Sequence, residues 1–371
     1  MKFKNINSDW GKKRVLIAPL DWGLGHATRC IPIIYELLSQ NIEVVIAADG
    51  ATKKLLEKEF PKLEILYLRG YNVKYSNKRW LLSITLLLQS PVILWRIYRE
   101  QQWIKQAVKT YQIDAIISDN RFGLYHTITP SIYITHQLTI KTGNRFTEWL
   151  AKKIHYFFIN KYGACWVPDN EHSPTLAGEL SHPKTLPLVP VVYIGPLTRF
   201  EKISVEREYD CLALISGPEP QRSIFEKIIL NQLGYFNGKT LLIRGLPENE
   251  IALPAVNSNT TIKNHLTAAD LNMAIEQSEC IICRSGYTSV MDLVLLQKKA
   301  MLVATPAQTE QEYLATYLQQ NHIFPSINQE QFNIKTAVEQ CSKFTFTQPA
   351  FSKGQYKEVI QQWVSKITQP E

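Results

Sequence analysis

Short apolar strands alternate with helical segments from one end of the chain to the other. In the first half, the β-branched runs RVLIAPL (14–20) and IEVVIAAD (42–49) flank a segment with helical spacing over 28–40. In the second half, DCLALISGPEP (210–220) and KTLLIRGLP (239–247) flank another helical pattern. Such alternation is typical of parallel sheets with crossover helices, so it predicts a fold of the α/β class.

The alternation is interrupted once, near Gly195 and Pro196, where the two residues indicate a linker. A chain of 371 residues also suits two domains of ordinary size. We therefore predict two Rossmann-like domains, residues 1–195 and residues 196–371. The tail KGQYKEVIQQWVSKI has helical spacing, and we assign this terminal helix to the second domain.

Composition narrows the class of protein. With 45% hydrophobic and 20% charged residues, the chain is expected to fold around a core. Its net charge of +8 favours an anionic partner, and no nucleic-acid-binding motif accompanies that charge. The first 14 residues lack the apolar core of a secretion signal, and the six cysteines show no disulfide spacing. We expect a cytoplasmic protein with reduced thiols that binds no nucleic acid.

The turn DWGLGH, Asp21 to His26, leads from the first strand into a helix. Glycines at this place let backbone N–H groups and the positive end of the helix approach a ligand. The sequence GLGHAT lacks the third glycine of a dinucleotide fingerprint, and no Walker lysine follows it. Two interpretations stay open: Gly23 and Gly25 admit a ligand that meets His26, or they form a tight turn and His26 caps the helix.

Polar residues also end two later strands of the first half. Asp119 closes the run IDAIISDN, and His136 and Gln137 follow the run SIYIT. Parallel strands end at one edge of a sheet, so Asp119 is expected within reach of His26. A carboxylate that holds one ring nitrogen leaves the other free to take a proton from a hydroxyl. The alternative is that Asp119 caps a strand-to-loop junction.

The second half carries two loops suited to a phosphorylated sugar. After the strand CIIC, a turn opens a helix whose first residues offer N–H and hydroxyl donors to a phosphate. A carboxylate one turn further suits a ribose diol, and a later loop offers amides and a carboxylate to sugar hydroxyls. Ordinary helix capping is the alternative. The residues are Ser285, Gly286, Thr288, Ser289 and Asp292 in the first loop, and Gln308, Gln311 and Glu312 in the second.

Together these residues resemble the GT-B glycosyltransferases, most closely the MurG-type, family 28-like branch, which transfers N-acetylglucosamine from a UDP-sugar. The stretch CRSG, Asp292, the strand AMLVATP and the glutamine-rich loop match its C-terminal signature. The turn SGPEPQR, with Gly217 and Arg222, resembles its donor-domain glycine loop. The resemblance covers nearly the whole chain and is strongest over 270–320. It implies a GT-B fold, with two Rossmann-like domains facing across a cleft.

The resemblance also implies a mechanism. His26, oriented by Asp119, would deprotonate an acceptor hydroxyl that attacks the anomeric carbon with inversion. Gly23, Gly25, His136 and Gln137 would lie on the acceptor side, with Gln137 in place of that branch's glutamate. Gly217, Arg222 and the residues of the two loops above would bind the donor. The UDP-sugar is a substrate, and neither a cofactor nor a metal is expected, because a helix dipole and cations can balance the diphosphate charge.

Two other functions remain open at this stage. One is a UDP-GlcNAc 2-epimerase-like enzyme, which would release a free 2-epimer without an acceptor. The other is a nucleotide-sugar-binding subunit that keeps the fold without turnover.

The segment 69–109 is apolar and cationic. It holds eight lysines and arginines against one acid, Glu100, with Trp80, Trp95 and Trp103 between them. A second aromatic, lysine-rich stretch spans 141–163. Such segments are typical of helices in the membrane interface, although an amphipathic helix with a solvated basic face is the alternative. We expect peripheral contact with the inner face of the membrane, no spanning helix, and an unidentified acceptor for which lipid-linked and cell-envelope molecules are candidates.

Overall fold

The computed structural model describes residues 12–71, 79–246, 254, 256–347 and 349–369, and the side chains of 79–88 are not described. Two parallel sheets organise the chain, one in each half. This confirms the α/β class and the two Rossmann-like units. Lys74 and Lys78 of the cationic segment lie outside the described residues.

The first sheet has seven parallel strands in the order β3-β2-β1-β4-β5-β6-β7. Its strands are β1 (Arg14–Pro19), β2 (Glu43–Ala48), β3 (Glu64–Tyr67), β4 (Ala115–Asp119), β5 (Ser131–Ile134), β6 (Ala164–Val167) and β7 (Val191–Tyr193). The helices of this half are α1 (Leu24–Ser39), α2 (Gly50–Glu59), α3 (Arg79–Thr110) and α4 (Arg145–Ile159).

The second sheet has five parallel strands in the order β10-β9-β8-β11-β12. Its strands are β8 (Tyr209–Leu214), β9 (Thr240–Ile243), β10 (Thr260–Lys263), β11 (Ser278–Cys283) and β12 (Lys299–Leu302). The helices of this half are α5 (Gln221–Leu233), α6 (Ala268–Glu276), α7 (Tyr287–Leu295), α8 (Thr309–Gln320), α9 (Ile334–Lys343) and α10 (Gln355–Thr368).

Each sheet reverses its strand order at one place. The loops with the predicted site residues follow the strands at these two places. In the first sheet, β1 lies between β2 and β4, and Pro19 at the end of β1 is paired with Asp119 at the end of β4. In the second sheet, β8 lies between β9 and β11. Crevices of this kind bind ligands in open α/β sheets, because neighbouring loops diverge there to opposite faces.

Helix α1 begins at Leu24, four residues before the predicted start at residue 28. Gly23 precedes the helix with φ 83°, a left-handed conformation that glycine adopts without strain. His26 therefore lies in the first helical turn and not in the preceding loop. Strand β6 and helix α9 were not predicted, although α9 buries Ile334, Ala337 and Cys341 at helical spacing.

The terminal helix α10 packs against the first domain, although the sequence analysis assigned it to the second. The ring of Trp363 meets the ring of Trp166 edge-on, with centroids 5.5 Å apart. Gln355 Nε2 donates to the Tyr193 carbonyl at 2.9 Å. Ile360 is fully buried in the cluster that this helix shares with α1. The chain therefore crosses between the domains twice, and α10 holds the two halves together.

The cationic segment folds mainly as α3, a single helix of 32 residues that contains Pro91. Ile104 and Ala107 of this helix are buried in a core cluster with the first sheet, and Trp103 packs against that cluster. Within the described part of the chain, no helix is long and apolar enough to span a membrane. The six cysteines are all buried free thiols, and Cys280 and Cys283 lie in β11 as the sequence predicts.

Truncating the buried side chain of α10 should destabilise both halves together. We expect Ile360→Ala to lower the free energy of unfolding by about 3 kcal/mol, because it leaves a cavity in a fully buried site. Urea denaturation followed by tryptophan fluorescence measures the change. Gln362→Ala on the exposed face of the same helix is the control, and equal effects of the two variants would contradict the packing described here.

Candidate active site

His26, Asp119 and Arg29 meet at the end of β1 and β4. His26 Nδ1 lies 3.1 Å from Asp119 Oδ2, so the two groups are within hydrogen-bond distance, as the sequence predicts. Arg29, one helical turn after His26, donates from Nε to Asp119 Oδ2 at 2.8 Å and from Nη2 to Asp119 Oδ1. Its Nη2 also lies 2.8 Å from His26 Nδ1. A buried carboxylate thus orients both a base candidate and a cation.

The surroundings of His26 keep it neutral at physiological pH. Burial lowers the pKa of His26, and the Arg29 cation lowers it further, whereas Asp119 opposes both effects. Burial by itself would raise the pKa of Asp119, but the charges of Arg29 and His26 outweigh it and lower this pKa. An uncharged imidazole beside an ionised carboxylate can accept a proton from a hydroxyl.

His136 lies at the boundary between the domains, and its predicted place on the acceptor side stays a prediction. Its Nε2 lies 2.7 Å from Glu310 Oε1 of the second domain, and its Nδ1 lies 3.1 Å from Arg29 Nη1. The ring stacks on Tyr287, with centroids 4.2 Å apart. Gln137 Nε2 lies 3.4 Å from His136 Nε2. His136 is therefore a contact between the domains.

The start of α1 in the first domain and the start of α7 in the second touch across the domain boundary. Thr288 Oγ1 donates to the carbonyl of Gly25 at 3.1 Å, so the first turn of α7 lies against the first turn of α1. Gly286 precedes α7 as its N-cap residue, Ser289 lies partly buried in the first turn of that helix, and Ser285 Oγ donates to the carbonyl of Gln311. The N–H groups that begin α7 thus lie close to the first turn of α1, which carries His26.

The glycine loop after β8 lies opposite the loop after β12. Gly217 has φ 108°, and a Cβ atom at this position would lie 4.0 Å from Thr305 Oγ1. That hydroxyl is buried and has no hydrogen-bond partner among the described residues. Arg222, by contrast, is buried in ion pairs with Glu219 and Glu226. The geometry does not support the predicted donor contact of Arg222, and it presents Thr305 in its place.

The glutamine-rich loop is held by its own side chains. Gln311 Oε1 accepts from the backbone N–H of Thr305 at 3.0 Å, and its Nε2 donates to Gln308 Oε1. Glu312 Oε1 accepts from the N–H of Ala307 at 3.1 Å. Gln311 and Glu312, in the first turn of α8, therefore shape the loop between β12 and α8, and the sugar contacts predicted for them stay a prediction.

Asp292 lies in α7 beside the linker between the domains. Its Oδ1 accepts from Thr198 Oγ1 at 2.6 Å. Burial raises the pKa of Asp292 to about 7, against the opposing effects of Thr198 and Arg199. Arg199 Nε is buried and has no hydrogen-bond partner among the described residues. The predicted ribose carboxylate is thus accompanied by a hydroxyl and a cation from the linker.

Sequence reasoning missed several residues of this site, among them Arg29. An arginine in the apolar run ATRCIPII was a usable signal, because a charge on a buried helix face needs a partner. Thr305, Tyr287 and Glu310 carried no comparable signal. In the described ranges, no three His, Cys, Asp or Glu side chains are grouped as metal ligands would be.

Known structures with the same architecture are glycosyltransferases. The structure is similar to that of the kitacinnamycin glycotransferase, at 13% identity over 96% of both chains with a TM-score of 0.63. It is also similar to the calicheamicin glycosyltransferase CalG4, at 12% identity over 97% of this chain and 96% of the other, again with a TM-score of 0.63. At such low identity the likeness establishes the fold, which is GT-B.

Sequence comparison adds the class of protein. Residues 231–362 match the family model of the glycosyltransferase family 28 C-terminal domain. A relative from Methanosarcina acetivorans, named an uncharacterized glycosyltransferase, is 22% identical over 330 residues, 83% of each chain. The fold and the matched domain make this chain a glycosyltransferase of the GT-B class. Residues 231–362 of its second half are similar to the family 28 C-terminal domain, in agreement with the resemblance in the sequence.

The raised pKa of Asp292 predicts how its substitution affects stability. Folded Asp292 keeps its proton up to about pH 7, whereas the ordinary value is 3.8, so wild-type stability falls as pH rises between these values. Asp292→Asn removes this loss because the amide does not ionise. The variant's stability relative to wild type should therefore increase from pH 5 to pH 8.

Thermal unfolding of both proteins at pH 5 and pH 8 measures this difference. Asp270→Asn, at an exposed position in α6, is the control. A pH-independent difference between Asp292→Asn and wild type would contradict the assignment.

Proposed function

We propose that this glycosyltransferase moves a hexose or an N-acetylhexosamine from a UDP-sugar to an acceptor hydroxyl, with inversion and without a metal. One observation carries the proposal: the His26–Asp119 pair lies directly across from the N-terminus of α7, through the contact of Thr288 with Gly25. A base and an anion-binding helix end therefore meet at one cleft.

His26 acts as the general base on the acceptor. In the base form, Nδ1–H donates to Asp119 and the Nε2 lone pair takes the hydroxyl proton. The acceptor oxygen bonds to the anomeric carbon as the bond from that carbon to the UDP oxygen breaks. The proton passes to His26, and the electron pair leaves with UDP. Attack from the side opposite to UDP inverts the anomeric configuration.

The leaving diphosphate is stabilised at the start of α7. The N–H groups after Gly286 and the positive end of the helix dipole balance its charge, which is why we propose no metal. The Thr305 hydroxyl and the backbone at Gly217 lie across the crevice and bind the same diphosphate from its other side. Asp292, with Thr198 and Arg199, binds the ribose.

A nucleoside diphosphate sugar as donor is supported by one structural neighbour. The spinosyn rhamnosyltransferase SpnG, 13% identical with a TM-score of 0.59, is known as a complex with thymidine diphosphate. We favour uridine over thymidine for this chain because of its resemblance to the MurG-type branch. The tests below therefore include both nucleotides.

We also propose that the first domain rests on the inner face of the membrane and takes a lipid-linked acceptor. Five apolar side chains form an exposed stripe along one face of α4, with Phe146, Trp149 and Phe157 exposed at 68%, 55% and 60%. The other members of this α4 stripe are Leu150 and Ile154. Lysines 152, 153 and 161 lie in or just after the same helix. An apolar face with cations suits an anionic interface.

Replacing His26 should separate binding from turnover. We expect His26→Ala to lower the rate of sugar transfer between about 10²- and 10⁴-fold, the usual contribution of a general base. Binding of UDP should be unchanged, since the imidazole does not contact the nucleotide. His172→Ala at an exposed position is the matched control. Wild-type transfer by His26→Ala would exclude the base role, and release of free sugar without an acceptor would indicate hydrolysis or epimerisation.

Calorimetry on the wild-type chain identifies the donor. Without added metal, UDP-N-acetylglucosamine and UDP should bind more tightly than thymidine diphosphate. At pH 8, above the pKa of about 7 for Asp292, Asp292→Ala should weaken nucleotide binding by roughly tenfold or more, because a hydrogen bond to a charged group contributes about 1.5–3 kcal/mol. Binding that requires Mg²⁺ would overturn the metal-free mechanism, and tighter binding of thymidine diphosphate would overturn the choice of uridine.

Vesicle sedimentation tests the membrane contact. The wild-type chain should bind phosphatidylglycerol vesicles more strongly than phosphatidylcholine vesicles, and added salt should weaken the binding. Serine at Phe146, Trp149 and Phe157 should abolish it. Tyr235→Ser, which removes a 90% exposed aromatic from the second domain, is the control. Equal binding by the triple variant and the wild type would exclude the α4 stripe.

A further inference from the structure

Arg29 has no role in the mechanism above, yet it is the most connected side chain of the site. It is 2% exposed. Its guanidinium donates twice to Asp119, approaches His26 Nδ1 at 2.8 Å and reaches His136 Nδ1 at 3.1 Å. One side chain thus joins the base candidate, its carboxylate and the histidine that contacts Glu310 of the second domain.

The tautomer of His136 follows from these contacts. A guanidinium can only donate hydrogen bonds, so His136 Nδ1 must accept from Arg29. The hydrogen of the neutral ring is then on Nε2, which donates to Glu310 Oε1 at 2.7 Å. Glu310 lies in the first turn of α8, directly after the loop that follows β12. A hydrogen-bonded chain therefore runs from Arg29 to the donor domain.

Arg29 and Asp119 compete for the Nδ1 atom of His26. Arg29 Nη2 and Asp119 Oδ2 both lie within hydrogen-bond distance of His26 Nδ1. This atom can accept from Arg29 or donate to Asp119, but it cannot do both. With Arg29 donating, the hydrogen of His26 is on Nε2, and the ring cannot act as a base there. The base form requires Nδ1–H on Asp119.

We propose that Arg29 is a positioning residue that selects the tautomer of His26 and links that selection, through His136, to Glu310 on the donor domain. A sugar hydroxyl that bonds Glu310 competes with His136 for the carboxylate. His136 and Arg29 then shift together. His26, whose side chain is 15% exposed, loses its Nε2 proton to water and gains one from water at Nδ1, and the new Nδ1–H donates to Asp119. His26 becomes a base only when the donor is bound. The tautomer assignment rests on contacts alone, whereas the consequence for turnover rests on the proposed function.

The charges around His26 are the same groups that form the chain. Arg29 opposes protonation of the ring, and Asp119 favours it. The titratable or charged groups that face the ring from the surrounding elements are Arg29 and Cys30 of α1, Asp119 of β4, His136 after β5 and Glu310 of α8. Removing the Arg29 cation should therefore make His26 easier to protonate.

Nuclear magnetic resonance of the full chain with ¹⁵N-labelled histidine tests the assignment, because ring nitrogen shifts report the tautomer. His26→Gln and His136→Gln identify the two rings. In the wild type we expect both rings to carry hydrogen on Nε2. Hydrogen on Nδ1 of either ring in the unliganded protein would overturn the proposal.

Arg29→Met tests whether Arg29 selects the tautomer of His26. His26 should move to the Nδ1–H tautomer and titrate at higher pH, because the cation is gone and the charge of Asp119 is no longer paired. His155 is an internal control, since burial lowers its pKa to about 4 independently of Arg29. An unchanged tautomer and titration of His26, with His155 intact, would overturn the role of Arg29.

Glu310→Ala tests the link between the domains and remains informative if Arg29→Met does not fold. The side chain is one-third exposed, so its removal leaves the core intact. We expect the population of Nδ1–H in His26 to rise, and no change would refute the link. If the tautomers behave as expected but His26→Ala still transfers sugar, the proposed function fails and the chain of contacts stands.

Discussion

The buried ion pair between Arg29 and Asp119 is the interaction on which the candidate site depends. Both side chains are almost fully enclosed, and removing one partner of such a pair typically costs about 3–5 kcal/mol because the other charge is left uncompensated. The pair also connects α1 to the end of β4. Arg29 and His26 lie one turn apart on α1, so both side chains meet Asp119.

The strand order of each sheet explains why the other groups converge. In the first sheet, Asp119 ends the strand beside β1, so the loop into α1 lies next to its carboxylate. In the second, β8 and β11 are neighbours, so the Gly217 loop and the start of α7 share one crevice. The contacts of Thr288 with Gly25 and of His136 with Glu310 then place the two crevices face to face.

The two halves divide the proposed chemistry. The first domain supplies the base and carries the α4 stripe, while the second supplies the helix end, the Thr305 hydroxyl and Asp292. Such a division requires a fixed arrangement of the two domains. Helix α10 contributes to it because this helix packs on Trp166 of the first domain. Communication between the halves is then a matter of polar contacts, among which the Arg29–His136–Glu310 chain reaches His26.

Much of the fold and part of the site could be predicted from the sequence, because they depend on local patterns. Strand and helix periodicity determined the two α/β units, and the CRSG stretch identified the start of α7. The partnership of His26 with Asp119 was also predictable, since parallel strands end at one edge. Arg222 was predicted to bind the donor but is buried in ion pairs, because residue type does not reveal which way a side chain turns.

The sequence by itself determined the class of fold and the loops that matter, through spacing that depends only on near neighbours in the chain. Only the tertiary structure decided which groups meet across those loops. Arg29 reaches Asp119 across 90 positions and His136 across 107, and His136 reaches Glu310 across 174. Contacts at such separations arise from sheet order and domain packing, and the neighbours that they bring together then decide the charge of each buried group.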